Sequence, residues 1–192
     1  GNMDATPGSY TWTIDVTAPD TTITGTPSNP SNATSPSFSF TSTETGSTFQ
    51  CQLDGGGYTT CTSPKSYAGL LEGSHTFSVT AMDAAGNMDA TPASFIWTVD
   101  ITAPMGSLSI NAGSAYADTV VVSLTLNATD TNGVSQMQLS NDNITWSNPE
   151  AYVTTRTWTL SSGDGLKTVY AKFKDTAGNW SSPPVYSQIV LD

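Results

Sequence analysis

Basic residues are the scarcest chemistry in this chain: five Lys and Arg stand against 16 Asp and Glu, a net charge of −11, with a single histidine. A surface so poor in cations has no footprint for nucleic acid or anionic lipid, whose binding rests on neutralising phosphates. No apolar run approaches the roughly 20 residues that a spanning helix requires, so no membrane insertion is expected. His75, in "EGSHTFSV", has no nucleophile pattern around it, and no carboxylate pair sits where a cleft of contrasting environments is indicated. The chain therefore reads as something other than an enzyme. Helical spacing of apolar residues is also absent.

What the chain does have is repetition. "GNMDATPGSYTWTIDVTAP" opens it, and "GNMDATPASFIWTVDITAP" returns at Gly86–Pro104. The pentapeptide "DAAGN" (Asp83–Asn87) recurs as "DTAGN" (Asp175–Asn179), and a further Asp follows each at the same spacing, Asp100 and Asp192. The opening "GN" is this motif with its first residues missing, and its trailing acid is Asp15. The chain thus divides into a tail, 1–16, and two domains, 17–101 and 102–192. A period this long means tandem domains, since solenoid repeats run to roughly 20–50 residues.

Within each domain the patterning is β. "SPSFSFTST", "STFQCQLD", "SHTFSVTAMD" and "SFIWTVD" alternate apolar with polar residues, as half-buried strands do. "DTVVVSLTLNATD", "VSQMQLSND", "RTWTLSS", "KTVYAKFKD" and "PPVYSQIVLD" fill the same roles in the second domain. Turn signals such as "DGGG" and "SSGDG" separate them, which favours β-sandwiches of about seven strands, A, B, C, C′, E, F and G.

The two cysteines fit a C–C′ hairpin. If "FQCQLDGGGYTTCTSP" turns on Gly56, Cys51 faces Cys61, within reach of a disulfide. The alternative is two buried free thiols. A bond would place the protein outside the cytosol.

"STETGSTFQCQLDGGGYTTCTSPKSYAGLLEGSHTFSVTAMDAAGN…WTVDITAP" resembles the bacterial Ig-like repeats of large extracellular surface and adhesin proteins. The stretch "LNATDTNGVSQMQLSNDNITWS…GDGLKTVYAKFKDTAGNWS" is similar to a related Ig-like or fibronectin type III-like variety. The resemblance implies an all-β array of tandem Ig-like sandwiches on the bacterial cell surface, non-catalytic, in a stalk, adhesin or fibre. Its partners would be neighbouring repeats or identical subunits, surface glycans, or a host-surface protein. The second domain lacks the cysteines, and its A-strand segment is longer and less regular.

Some members of such families bind Ca²⁺ between domains, and strand directions in a sandwich allow the acids to be placed independently. The B–C and F–G loops share the end where the chain enters. Glu44 and Asp130 lie in B–C loops, Asp83 and Asp175 in F–G loops, and Asp15 and Asp100 end the preceding strand G. Two trios are therefore expected, Asp15 with Glu44 and Asp83, and Asp100 with Asp130 and Asp175; Asp20 lies near the first. Three carboxylates with carbonyls and waters suffice for Ca²⁺, which takes 6–8 oxygens. The competing account has the "DxAGN" Asp capping its own turn and the linker acids merely solvated.

Trp12 and Trp97 share the inward position of a strand G. Trp146, Trp158 and Trp180 are candidate glycan contacts, which leaves a carbohydrate-binding accessory module of a secreted enzyme as the alternative reading. Asn32, Asn127, Asn143 and Asn179 head glycosylation sequons. The tail "SYTWTIDV" is expected to be an orphan strand with Tyr10, Trp12, Ile14 and Val16 on one face. Either it belongs to a preceding repeat, or it completes a sandwich in a neighbouring molecule.

Overall fold

A computed structural model of the chain describes residues 1–3, 5–6 and 8–192; Asp4 and Pro7, inside the tail, lie outside the described residues. The first seven strands are β1 (Thr21–Gly25), β2 (Ser37–Ser42), β3 (Thr48–Leu53), β4 (Thr59–Cys61), β5 (Lys65–Ser66), β6 (Gly73–Met82) and β7 (Ala93–Val99). They form a three-stranded sheet, β1-β2-β5, and a four-stranded sheet, β4-β3-β6-β7. Eight more follow: β8 (Met105–Ile110), β9 (Tyr116–Ala117), β10 (Val121–Thr129), β11 (Val134–Ser140), β12 (Glu150–Ala151), β13 (Thr155–Thr159), β14 (Gly165–Asp175) and β15 (Val185–Leu191). These build β13-β10-β8 and β12-β11-β14-β15-β9. Packing gathers the chain into two compact units. One holds Gly1–Thr26, Ser37–Tyr67 and His75–Ile96; the other holds Pro27–Pro36, Ala68–Ser74 and Trp97–Asp192.

Period-two alternation decides what each strand buries. On β2, Phe38 and Phe40 point inward, and the Phe38 ring stacks on Phe77 of β6 with centroids 4.2 Å apart. Phe49 meets Phe40 edge-on. In the second unit Val122, Leu124 and Leu126 of β10 face Met137 and Leu139 of β11 and Val169, Ala171 and Phe173 of β14 in one core. Gly106 of β8 lies so close to this core that an added Cβ would fall 2.4 Å from the Phe173 ring. Any side chain there would force the ring aside.

The second sandwich has eight strands where about seven are expected. Its irregular A segment is split. A 3₁₀ turn at Asn111–Gly113, with Asn111 and Ala112 at positive φ, ends β8 in one sheet and delivers β9 to the other, where it runs parallel to β15. The Asn111 Oδ1 accepts from the Ser123 N–H, which fastens the switch to β10.

The tail departs from expectation. None of its described residues forms a strand, and Tyr10, Trp12, Ile14 and Val16 are all exposed. The cause is the missing ladder: no strand pairs with the described tail residues, and the Asp15 carbonyl turns instead to Asn87 Nδ2. Trp12 is 68% exposed, whereas Trp97, its counterpart in the repeat, is fully buried.

Cys51 and Cys61 are joined in a disulfide, Cα atoms 5.8 Å apart, but not across one rung as the Gly56-centred hairpin had them. Cys51 pairs with Thr59 and Phe49 with Cys61. Asp54 and Gly55 take positive φ and the Gly56 N–H donates to the Leu53 carbonyl. The turn therefore sits on Asp54–Gly55 and the ladder slides by two residues. A slip of two keeps both sulfurs on the same face, so the bond bridges the diagonal.

Candidate functional site: two acidic trios

Each unit gathers three acids. Asp15, Glu44 and Asp83 each present a carboxylate oxygen within 4.8 Å of the other two, and so do Asp100, Asp130 and Asp175. Loop geometry explains the convergence. Glu44 and Asp130 lie in the turns that follow β2 and β10, while Asp83 follows β6 and Asp175 ends β14. Asp15 and Asp100 stand at the head of the "Asp-[Val/Ile]-Thr-Ala-Pro" segments. There Asp15 Oδ1 accepts from Thr17 N–H and Asp100 Oδ1 from Thr102 N–H, both at 3.0 Å. Asp20 stands apart from the trio: its backbone pairs with Thr43 at the entry to β1, and the residue is exposed.

The turn-capping account also has its geometry. In "DTAGN", Asp175 Oδ1 accepts from the N–H groups of Gly178 and Asn179 while Oδ2 accepts from Asn179 Nδ2. In "DAAGN", Asp83 accepts from the Asn87 N–H and Nδ2. Burial works against the charged form of Asp83, but these bonds outweigh it and hold its carboxyl below the usual range.

The middle members behave oppositely. The Glu44 carboxyl is pushed up, by desolvation first and then by the charges of Asp15 and Asp83. The Asp130 carboxyl is pushed up by burial, which together with the charges of Asp100, Asp175 and Glu72 overcomes a hydrogen bond from the Asn132 N–H. Among the described residues the ion pairs are His75 with Asp54 and Arg156 with Glu150, so neither trio is neutralised by a Lys or Arg. An all-oxygen donor set with unrelieved repulsion is the chemistry that a hard divalent cation suits.

Sequence reasoning missed the residues that tie the linker segments down. Asn87 Nδ2 donates to the Asp15 carbonyl at 3.1 Å, and Asn179 Nδ2 to the Asp100 carbonyl at 2.8 Å. In the second unit Asn132 Nδ2 also reaches Asp100 Oδ2 at 2.8 Å. The signal was the last letter of the repeated "DxAGN". Asn179, which ends "DTAGN" and heads a sequon, commits its amide nitrogen to these bonds. Asp89 was missed too: buried, it accepts from the N–H of Thr21 and from both donors of Thr91, and so fixes the start of β1.

The remaining candidates separate. Trp158 packs against the second core and donates from Nε1 to Asn141 Oδ1. Trp146 and Trp180 are half-buried and both rings lie against Lys172. His75 Nδ1 sits 2.7 Å from Asp54 Oδ2 in an exposed hairpin contact.

No protein-family description and no curated protein matches the chain. Solved structures do. The fibronectin(III)-like modules of Clostridium thermocellum CbhA align at TM-score 0.51 and 11% identity, over 90% of this chain and 93% of that one. The FN1–FN3 domains of chicken CNTN1 align at TM-score 0.54 and 7% identity, over 90% of this chain and 66% of theirs. A 1.5-MDa bacterial ice-binding adhesin aligns at TM-score 0.48 and 14% identity, over 93% and 66%. The fold is that of fibronectin III-like and Ig-like modules. No helix among the described residues is long and apolar enough to cross a membrane.

Proposed function

We propose that the chain is a non-catalytic, extracellular structural element: a stretch of a bacterial surface stalk, adhesin or fibre, in which Ca²⁺ held by each acidic trio fixes a linker segment to the loops beside it. The observation that carries this reading is that the same trio is built twice, from a linker Asp and two loop acids, with its charge uncompensated each time. Asp15, Glu44 and Asp83 would hold one ion, and Asp100, Asp130 and Asp175 the other. The ion supplies the positive charge that three converging carboxylates lack. The disulfide supports an oxidising compartment.

Asp83 and Asp175 are poor test positions because each also caps its turn. Asp130→Asn and Glu44→Gln remove charge while keeping shape. Calcium at about 100 times its dissociation constant should stabilise the native chain by about 2.7 kcal/mol per occupied trio through linkage. The double variant should lose that gain. Calorimetry with calcium and with chelator reads it, and X-ray scattering on the same samples reads whether interdomain angles broaden on chelation. Superimposable melting and scattering curves in the two conditions would sink the calcium reading and leave the trios as capped turns.

A further inference from the structure

The outer face of the five-stranded sheet carries chemistry that a strut does not use. On β14, Val169, Ala171 and Phe173 enter the core, so Tyr170, Lys172 and Lys174 stand on the opposite face. β11 sets Gln138 and Gln136 beside the two lysines. β15 sets Tyr186 beside Tyr170, ring centroids 5.9 Å apart. Lys172 Nζ lies 4.4 Å from the Trp146 ring centre and 5.1 Å from that of Trp180, and Lys174 Nζ lies 5.9 Å from Trp180. Neither lysine enters an ion pair among the described residues. Two of the chain's five basic residues thus stand side by side among aromatic rings, in a molecule of net charge −11.

At the Lys174 end this face opens into a depression of about 580 Å³ lined in part by Gln136, Ala151, Lys174 and Thr176. Asp175 lines it too; its carboxylate accepts from Gly178 and Asn179 and belongs to the acidic trio.

We propose that this face binds an acidic polysaccharide, a polymer of carboxylate-bearing pyranoses. The apolar C–H faces of the sugars stack on the Trp and Tyr rings, Gln136 meets hydroxyls while Gln138, whose Nε2 donates to the Ser147 carbonyl, offers them only its Oε1, and the carboxylates pair with Lys172 and Lys174. An ammonium held against ring faces is partly stripped of water, which strengthens its attraction for an anion. The acidic remainder of the surface repels such a polymer and confines it to this face. Five basic residues against a net charge of −11 give little of the phosphate-neutralising surface on which phosphodiester binding rests. The proposal stands whether or not the acidic trios take an ion.

The test titrates the whole chain with tetragalacturonate and with its fully methyl-esterified form, following indole and backbone NMR signals, in calcium and in chelator. Shifts should cluster on Trp146, Trp180, Tyr170 and Tyr186, with the ester binding at least about tenfold more weakly and affinity falling steeply with salt. Lys174→Gln leaves Lys172 between its two rings; it should keep the native melting temperature and lose several-fold in affinity. Equal binding of acid and ester, unchanged affinity in Lys174→Gln, shifts mapped elsewhere or no binding overturns the proposal. Binding that needs calcium and survives Lys174→Gln would put the polymer on an acidic trio and overturn it as well.

Discussion

Asn179 joins the linker segment of the second unit to its last turn. Its side-chain nitrogen reaches the Asp100 carbonyl and Asp175 Oδ2, and its own N–H caps Asp175 Oδ1. Truncation leaves a buried carbonyl and a buried carboxylate short of donors, at about 1–3 kcal/mol. Asn179→Ala should therefore destabilise by about that amount in chemical denaturation, and amide exchange should rise first over Asp100–Pro104. Unaltered protection of that segment would contradict the tether. Asp142 is a second residue-scale case. Its Oδ1 accepts from the N–H groups of Ile144 and Thr145 and from Ser140 Oγ, and these bonds bring its carboxyl down to about 2. A depressed folded value means the contribution is whole above the unfolded value of about 3.9 and is lost as pH falls through about 2. NMR titration should show this carboxylate still ionised at pH 3, and Asp142→Asn should remove its part of the acid dependence. Both roles were hard to see in the letters alone. A carboxylate that collects three donors does so through turn geometry, and "NDN" announces only that a turn is present.

At the scale of elements, alternation made the long strands plain, because one buried face imposes period two on Ser37–Ser42, Val121–Thr129 and Gly165–Asp175. The two-residue strands β5, β9 and β12 escaped, since so short a segment has no period. The C–C′ hairpin shows how a correct pairing survives a wrong register: placing the turn one residue late moved every rung, while both sulfurs stayed on one face. The acidic trios were legible because strand direction alone puts the B–C and F–G loops at one end, whatever the register. Closing the short Cys51–Cys61 loop should contribute about 2–3 kcal/mol. Reduction should lower the unfolding transition of the disulfide-bearing first unit accordingly and leave that of the cysteine-free second unit in place. Thiol labelling of the denatured, unreduced chain should find no free sulfhydryl, and two labels under those conditions would refute the bond.

At the scale of the whole molecule the open matter is the tail. Its side chains repeat those of β7, and the comparison refines the face assigned to it. Trp97 and Val99 are fully buried and Phe95 is half-buried, but Ile101 is 52% exposed. By correspondence Trp12, Ile14 and Tyr10 are the residues that need a partner, and Val16 is not. Thr11 replaces Ile96, which is itself exposed, so that change costs nothing in burial. Ile14 replaces the buried Val99 and adds one methylene, a strain of about 1–3 kcal/mol unless its sandwich is shaped for it. Since residues 1–19 restate 86–104, a chimera can supply the rest of such a sandwich: residues 17–85 joined directly ahead of Gly1. If the tail encodes a strand G, Trp12 should pass from solvent to core, its fluorescence shifting to the blue, and residues 8–16 should gain exchange protection equal to that of β7. Burial of such a side chain contributes roughly 1.5–3 kcal/mol, enough to hold the strand in place. Deleting residues 8–16 from the chimera should then unfold the added module alone. A chimera in which Trp12 stays wet and the added module folds without it would show that the repeated letters no longer specify a strand, and would remove the basis for strand exchange between copies.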